Sequence, residues 1–259
     1  MPERNYPGRM QPGVLLVHGA RTSRTMWRAQ QAALDRAGIA SLAIDLPGHG
    51  ARRGEPFTLE GALAAVHDGV ATLNAVSGPG KAPRTPVVLV GISLGGYVGI
   101  EYRARYPADV AGLVAAACCS RPQTVLRTAW LQASKVIEAL PDGGARLNQF
   151  AVGHFVAEAG AQDLAAGGFA LEVMTAILRE IGTCDPVAAL AGAASPVWLV
   201  NGRWDHFRRN EREFLQAARS GGATAELTVI RGARHLVSLD APVAVNRVLL
   251  RAVTGLRVR

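Results

Sequence analysis

Gly91-Ile92-Ser93-Leu94-Gly95 sets a serine between glycines at the joint of two elements. An apolar, β-branched run, Pro86 to Val90, precedes it, and residues able to start a helix follow. A strand-to-helix turn of this kind is so tight that nearby positions tolerate almost no side chain, and it pushes the serine Oγ out above the sheet. The same turn aims the Leu94 N–H at the place where an oxyanion would form. The chemistry on offer is nucleophilic attack on an acyl carbon. As a bare pattern G-x-S-x-G also occurs by chance in glycine-rich loops, so the reading of Ser93 as a nucleophile turns on whether a base and an acid can reach it.

Chemistry in an open α/β sheet collects at loops beyond the carboxyl ends of strands. That rule sorts the 6 histidines. His18 and His49 lie at such loops early in the chain. His67 falls inside a predicted helix, His154 inside a helical block, and His206 is read as starting a helix. His235 follows a predicted strand ending at Ile230, in a loop where Gly232 gives the chain freedom to bring the imidazole to Ser93; it is the expected general base. The acid should leave another strand end. Asp205 does so through Asn201-Gly202-Arg203-Trp204, and its carboxylate could hold the Nδ1–H of His235. Two rivals read differently. Asp45 sits in a Pro/Gly turn, where it should bond backbone N–H groups. Asp240 looks like a helix N-cap before Ala241-Pro242.

These residues need a scaffold. Val14–Val17 is a short, fully apolar run and reads as a buried parallel strand. A helix over Met26 to Gly38 follows, then a strand over Ile39 to Ile44. Thr58 can cap a helix with Gly61 at its third position, and the apolar spacing Leu59, Leu63, Val66, Val70, Leu73 is the better evidence for that helix. Ser77 to Pro86 is a Pro/Gly linker. After the serine-bearing joint comes a strand over Val110 to Ala117. From Arg121 to about Ala194 the pattern is helical, broken at Gly143-Gly144 and Gly167-Gly168. Strands return at 196–200 and 225–230, with helices over 211–219 and 243–253. Such alternation predicts an α/β fold: a mostly parallel sheet with helices on both faces. The core is expected over 1–119 and 195–259, with a helical cap insertion over 120–194 above the carboxyl ends of the strands.

Taken together, His18-Gly19-Ala20, Asp45-Leu46-Pro47-Gly48-His49-Gly50, the Ser93 joint, Asn201 to Asp205 and Gly232 to Leu236 resemble the α/β-hydrolase superfamily, in its branch of cap-bearing esterases and C–C hydrolases. The order Ser…Asp…His is the chain order of that arrangement. The resemblance implies the α/β-hydrolase fold, a Ser93–His235–Asp205 triad, and the Ala20 N–H as second oxyanion donor beside Leu94. It also implies that His18 ties down its loop rather than reacting. Many relatives carry two antiparallel strands before the one at Val14; the 13 residues preceding it here have room for one short strand and a turn. The same resemblance argues against haloalkane dehalogenase and epoxide hydrolase chemistry, since those relatives carry Asp where this chain has Ser93.

The expected activity is hydrolysis of a small-molecule carboxylic ester or lactone through an acyl-enzyme, with neither metal nor organic cofactor. Cleavage of a C–C bond in a β-diketone, or of a thioester, uses the same triad and stays open. Arg21 and Arg121 could hold a ketone or enol, or be plain surface arginines. A ligand receptor with an unused triad and a cofactor-free oxygenase are the remaining readings. Trp130, Phe150, Phe155, Phe169 and Met174 are the large apolar residues of the cap, and most should pack helix on helix, with one or two reaching the pocket.

Composition bounds the rest. The chain has 259 residues, 49% of them hydrophobic, enough for one large core. Its net charge of +8 comes mostly from scattered arginine, with no basic stripe interleaved with aromatics, which argues against nucleic acid. No apolar run reaches the ~18 residues of a membrane helix. Met1 to Gly13 lacks the apolar core of a signal peptide. Three cysteines without a C-x-x-C pair make no disulfide or zinc framework and read as small buried hydrophobes. The expected location is cytoplasmic. A cap-to-cap homodimer is left open.

Overall fold

A computed structural model describes residues 12–76 and 86–256. Six strands, β1 (Val14–Val17), β2 (Ser41–Ile44), β3 (Val87–Ile92), β4 (Val110–Ala116), β5 (Val197–Gly202) and β6 (Ala225–Ile230), form one sheet in the order β2-β1-β3-β4-β5-β6. Every pairing is parallel. Parallel strands are covered on both faces, which is why they read as unbroken apolar runs rather than as alternation. The pleat nonetheless divides them. Leu15, Val17, Leu89, Leu113, Ala115 and Leu199 face one cluster of buried side chains; Val14, Leu16, Val88, Val90, Val114 and Val200 face the other.

The first cluster is closed by α2 (Leu59–Val76), α3 (Leu94–Arg105), α8 (Pro186–Ala191) and α9 (Glu211–Ser220). The second is closed by α1 (Arg28–Arg36) and α11 (Pro242–Gly255). Local chemistry sets the ends of these helices. The Gly61 N–H donates to Thr58 Oγ1 at 3.0 Å at the start of α2. Gly38, at φ +70°, closes α1 in the left-handed conformation that glycine adopts freely.

Between β4 and β5 the chain is helical, with α4 (Val125–Glu138), α5 (Ala145–Phe155), α6 (Glu158–Gly167) and α7 (Met174–Ile181) preceding α8. Gly144 and Gly168, both at positive φ, separate α4 from α5 and end α6, as the glycine pairs predicted. Thr25 Oγ1 donates to Asp163 O at 2.5 Å, fastening α6 to the turn after β1. Two of the five large apolar residues of this block stand apart. Trp130 and Phe150 do not pack helix on helix: they are 45% and 57% exposed. Trp130 lies at the rim of α4's buried face, and α5 packs mainly on α6, leaving Phe150 outside. The linker over 77–85 and any strand before Pro12 lie outside the described residues.

The strand order fixes where a site can form. The chain steps from β1 outward to β2, then returns to β3 on the other side of β1. Adjacent loops diverge at that reversal and open a crevice beyond the carboxyl ends of β1 and β3. His18-Gly19-Ala20 leaves β1 there, and Ser93 leaves β3.

Candidate active site

Ser93 occupies the residue between β3 and α3 at φ 53°, ψ −114°. That backbone is costly for a residue with a Cβ. The Ser93 N–H donates to Ala116 O at 2.8 Å, so β4 holds the turn in place. Two glycines make the turn sterically possible. A Cβ on Gly91 would collide with the Gly95 backbone, and one on Gly95 with the carbonyl oxygens of Val17 and His18. The absence of side chains thus lets α3 press against the end of β1. A Cβ on Gly19 would sit 3.6 Å from Ser93 Cβ, which places the loop after β1 against the serine. Leu94 is the first residue of α3, where a backbone N–H has no partner within its own helix.

The sequence-predicted base and acid meet Ser93. The Ser93 Oγ–H donates to His235 Nε2 at 3.0 Å, and the His235 Nδ1–H donates to Asp205 Oδ1 at 2.9 Å. The loops carrying them are laced together. The Arg203 N–H donates to Ile230 O at 2.9 Å, and the Trp204 N–H to Ala233 O at 3.0 Å. Asp205 is buried, and burial alone would raise its carboxyl pKa. The hydrogen bond and charge of His235, the Phe207 N–H on Oδ1 at 2.9 Å and the nearby His206 outweigh that and hold it below the usual value. The carboxylate therefore stays charged beside the ring it orients.

Sequence reasoning missed Phe207 and misread His206. His206 precedes α9 by several residues and starts no helix; its ring lies 5.2 Å from that of His235, while the Phe207 ring lies 4.9 Å from it. Asp205 accepting the N–H two residues on is an Asx turn, and Asp-His-Phe carried that signal. Asp240 is a second correction. It does not cap α11 (Pro242–Gly255), whose N-cap position is Ala241, with no side-chain cap bond. Asp240 ends α10 (Val237–Asp240) and accepts the Arg234 N–H at 2.7 Å, steadying the turn before His235.

The other rivals hold loops. Asp45 accepts the N–H groups of Arg24 at 2.7 Å and Ala51 at 3.0 Å, the role its turn sequence predicted. His18 donates from Nδ1 to Gly19 O at 2.8 Å and accepts the Leu46 N–H on Nε2 at 3.0 Å. His49 donates to Pro47 O at 2.9 Å and accepts the Arg21 N–H at 3.1 Å. Each imidazole must be neutral to serve as both donor and acceptor. Burial, aided by His49, lowers the His18 pKa to about 3, and burial lowers that of His49 too. Arg121 is tied to Glu213 at 2.5 Å. Among the described residues Arg21 forms no such ion pair.

Cys118, Cys119 and Cys184 are buried free thiols. Burial pushes the Cys119 and Cys184 thiols up to about 12. Among the described residues no group of three or more His, Cys, Asp or Glu could hold a metal ion, and no helix is long and apolar enough to cross a membrane.

Comparison with known proteins adds an independent view. A family model described as "Alpha/beta hydrolase family" matches residues 14–248. Human monoacylglycerol lipase ABHD6 is 31% identical over 150 residues, which is 53% of this chain and 41% of that protein. The bovine protein is 32% identical over 113 residues, 42% of this chain and 31% of that protein. The chain thus aligns with well under half the length of these curated relatives. A thermophilic esterase from Thermogutta terrifontis superposes with TM-score 0.73 at 20% identity, covering 97% of this chain and 94% of that one. A hydrolase from Pseudomonas aeruginosa superposes with TM-score 0.72 at 21% identity, covering 93% and 89%. At such identities the likeness to solved structures speaks for the fold.

Proposed function

The chain belongs to the alpha/beta hydrolase family, and on that premise we propose that it is a serine hydrolase cleaving a small-molecule carboxylic ester or lactone through an acyl-enzyme. The observation that carries this reading is the unbroken hydrogen-bond chain from Ser93 Oγ through His235 to Asp205, at 3.0 and 2.9 Å. Ser93 Oγ attacks the acyl carbon while His235 Nε2 takes its proton. Asp205 keeps the other ring proton on Nδ1 and stabilises the imidazolium. The Ala20 and Leu94 N–H groups receive the oxyanion; one such donor is typically worth about 3–4 kcal/mol. His235 then protonates the leaving alcohol, and in the second half it activates the water that frees the acid.

In this reading residues 120–194 act as the cap, and α4 to α7 are the part that overhangs the site, since α8 packs on α3 and α9. The test is labelling by a fluorophosphonate probe together with turnover of 4-nitrophenyl butyrate. Both should vanish in Ser93→Ala, and turnover should vanish in His235→Ala. Labelling that survives Ser93→Ala refutes the nucleophile. A wild-type protein that turns over no ester of any acyl length refutes the activity.

A further inference from the structure

Arg21 stands next to Ala20, two residues beyond the Gly19 that lies against Ser93. Its backbone is held on both sides in the left-handed region, at φ 63°. The Arg21 N–H donates to His49 Nε2 at 3.1 Å, and Arg21 O accepts the Ala170 N–H at 3.2 Å. A non-glycine residue keeps such a conformation only where its surroundings over-determine it, and such residues collect at functional sites.

The side chain is held less completely than the backbone. Nη2 donates to Asn148 Oδ1 on α5 at 2.9 Å, so the guanidinium reaches from the loop after β1 to the overhanging helices. Nε is buried and, among the described residues, has no hydrogen-bond partner. Among the described residues no carboxylate forms an ion pair with Arg21; the field of Glu138 on α4 reaches it, but Glu138 Oε1 is taken by the Thr175 N–H at 2.8 Å. Several other arginines differ. Arg52, Arg53, Arg121 and Arg208 each bind a glutamate. Burial lowers the Arg21 pKa, and the field of Glu138 offsets this only in part.

A guanidinium presents a planar fork of N–H donors that matches a carboxylate and keeps its charge at any ordinary pH. We propose that Arg21 is a specificity-determining residue that binds a carboxylate on the substrate, so that the preferred substrates are half-esters or lactones of dicarboxylic acids rather than neutral esters. The proposal rests on the serine-hydrolase reading for its reaction but not for its binding. A carboxylate a few bonds from the scissile acyl group would meet the half-buried guanidinium and give the cation its counterion. Asn148 would keep the fork turned toward the site.

The experiment compares monoethyl succinate, glutarate and adipate with ethyl pentanoate and ethyl hexanoate in wild type, Arg21→Gln and Arg21→Lys. Wild type should favour at least one half-ester over the neutral esters in kcat/KM. Arg21→Gln should lose roughly ten- to hundredfold on that half-ester, the scale of one charge-assisted hydrogen bond, and change less than about threefold on neutral esters. Arg21→Lys, which keeps charge without the fork, should fall between, and it covers the case in which the glutamine variant does not fold. A wild-type preference for neutral esters, or equal losses on both classes together with a lowered Tm, overturns the proposal and leaves Arg21 a tie to α5. The second arm measures binding of the same half-esters to Ser93→Ala by calorimetry. If wild type hydrolyses nothing, the hydrolase reading falls, and this arm still decides. Half-ester binding weakened tenfold or more when Arg21→Gln is added supports the carboxylate site. Binding that ignores Arg21, or no half-ester binding at all, refutes it.

Discussion

Replacing Asp205 with asparagine separates the charge of the acid from its hold on the ring. Oδ1 accepts two donors, the His235 Nδ1–H and the Phe207 N–H, each at 2.9 Å, while the buried Oδ2 has no partner. An asparagine offers one acceptor oxygen and one NH2. An NH2 at the Oδ1 position would face the Phe207 N–H donor to donor, so the amide oxygen takes that place and the NH2 takes the place of Oδ2. The ring proton then stays on Nδ1, and Nε2 remains able to accept from Ser93. Only the charge opposite the imidazolium is lost. Unit charges 2.9 Å apart attract by about 6 kcal/mol at an effective dielectric of about 20. A neutral acceptor keeps about half of a charge-assisted bond, so the transition state loses about 3 kcal/mol, or about a hundredfold in kcat. Asp205→Ala frees the ring as well and should cost about tenfold more, toward the upper range for acid–base catalysis. Steady-state turnover of 4-nitrophenyl butyrate by the two variants makes the comparison. An asparagine variant as inactive as the alanine variant refutes the orienting role of Phe207. A loss below about threefold refutes Asp205 as the acid.

Three further outcomes concern the frame. Arg103 is fully buried without a carboxylate, and its guanidinium donates to the carbonyls of Leu190, Ala193 and Ser195; Arg103→Met strands those carbonyls and should cost about 3–5 kcal/mol in urea unfolding, and a loss below about 1 kcal/mol contradicts this. Gly95→Ala drives a Cβ into two backbone carbonyls and should cost about 3 kcal/mol or more, whereas Gly54→Ala, with nothing within 4 Å, should stay within about 0.5 kcal/mol; equal melting temperatures would contradict the steric argument. For acid, His18 is lowered from 6.5 to about 3 in the native protein, so between those values the unfolded chain takes up a proton that the native one refuses. Stability should therefore fall as pH drops below about 6.5, by up to about 1.4 kcal/mol per pH unit from His18, with His49 adding in the same direction. Urea midpoints unchanged between pH 7 and 5 would contradict the neutral-imidazole assignment.

What was legible in the sequence was what depends on position relative to a strand end. The apolar runs at Val14, Val87, Val110 and Val197 announce strands buried on both faces, and Ser93, Asp205 and His235 each follow such a run or its neighbour at loop distance. The loop roles of Asp45 and Thr58 were legible too, because a short side chain bonding nearby N–H groups is local chemistry. What was not legible depends on partners and packing that a local pattern does not announce. Asp240 has the local look of an N-cap, but Arg234 and the short helix α10 decide its use. Which of the large apolar residues between β4 and β5 stay outside was not legible either, because burial depends on how many helices converge, and α5, which carries Phe150, meets few. The bond between His49 and the Arg21 N–H spans 28 residues, and no pattern announces it.

Backbone strain concentrates where the sheet reverses direction. Among the described residues three non-glycine positions have positive φ: Arg21, Ser93 and Ala117. They lie beyond the carboxyl ends of β1, β3 and β4, three adjacent strands. Each such residue costs about 1–3 kcal/mol and persists only if neighbours hold it. The neighbours are identifiable. The Ser93 N–H is taken by Ala116 O, the Ala117 N–H by Val200 O, and the Arg21 N–H by His49. Each strained residue is thus fastened to an element other than its own, so no one loop could relax without breaking a bond to another. Propensity cannot foresee this, because arginine, serine and alanine all avoid the region when alone. The strain belongs to the assembled sheet, and it falls on the serine, on the residue after the proposed oxyanion donor, and on the strand end that holds the serine's own backbone.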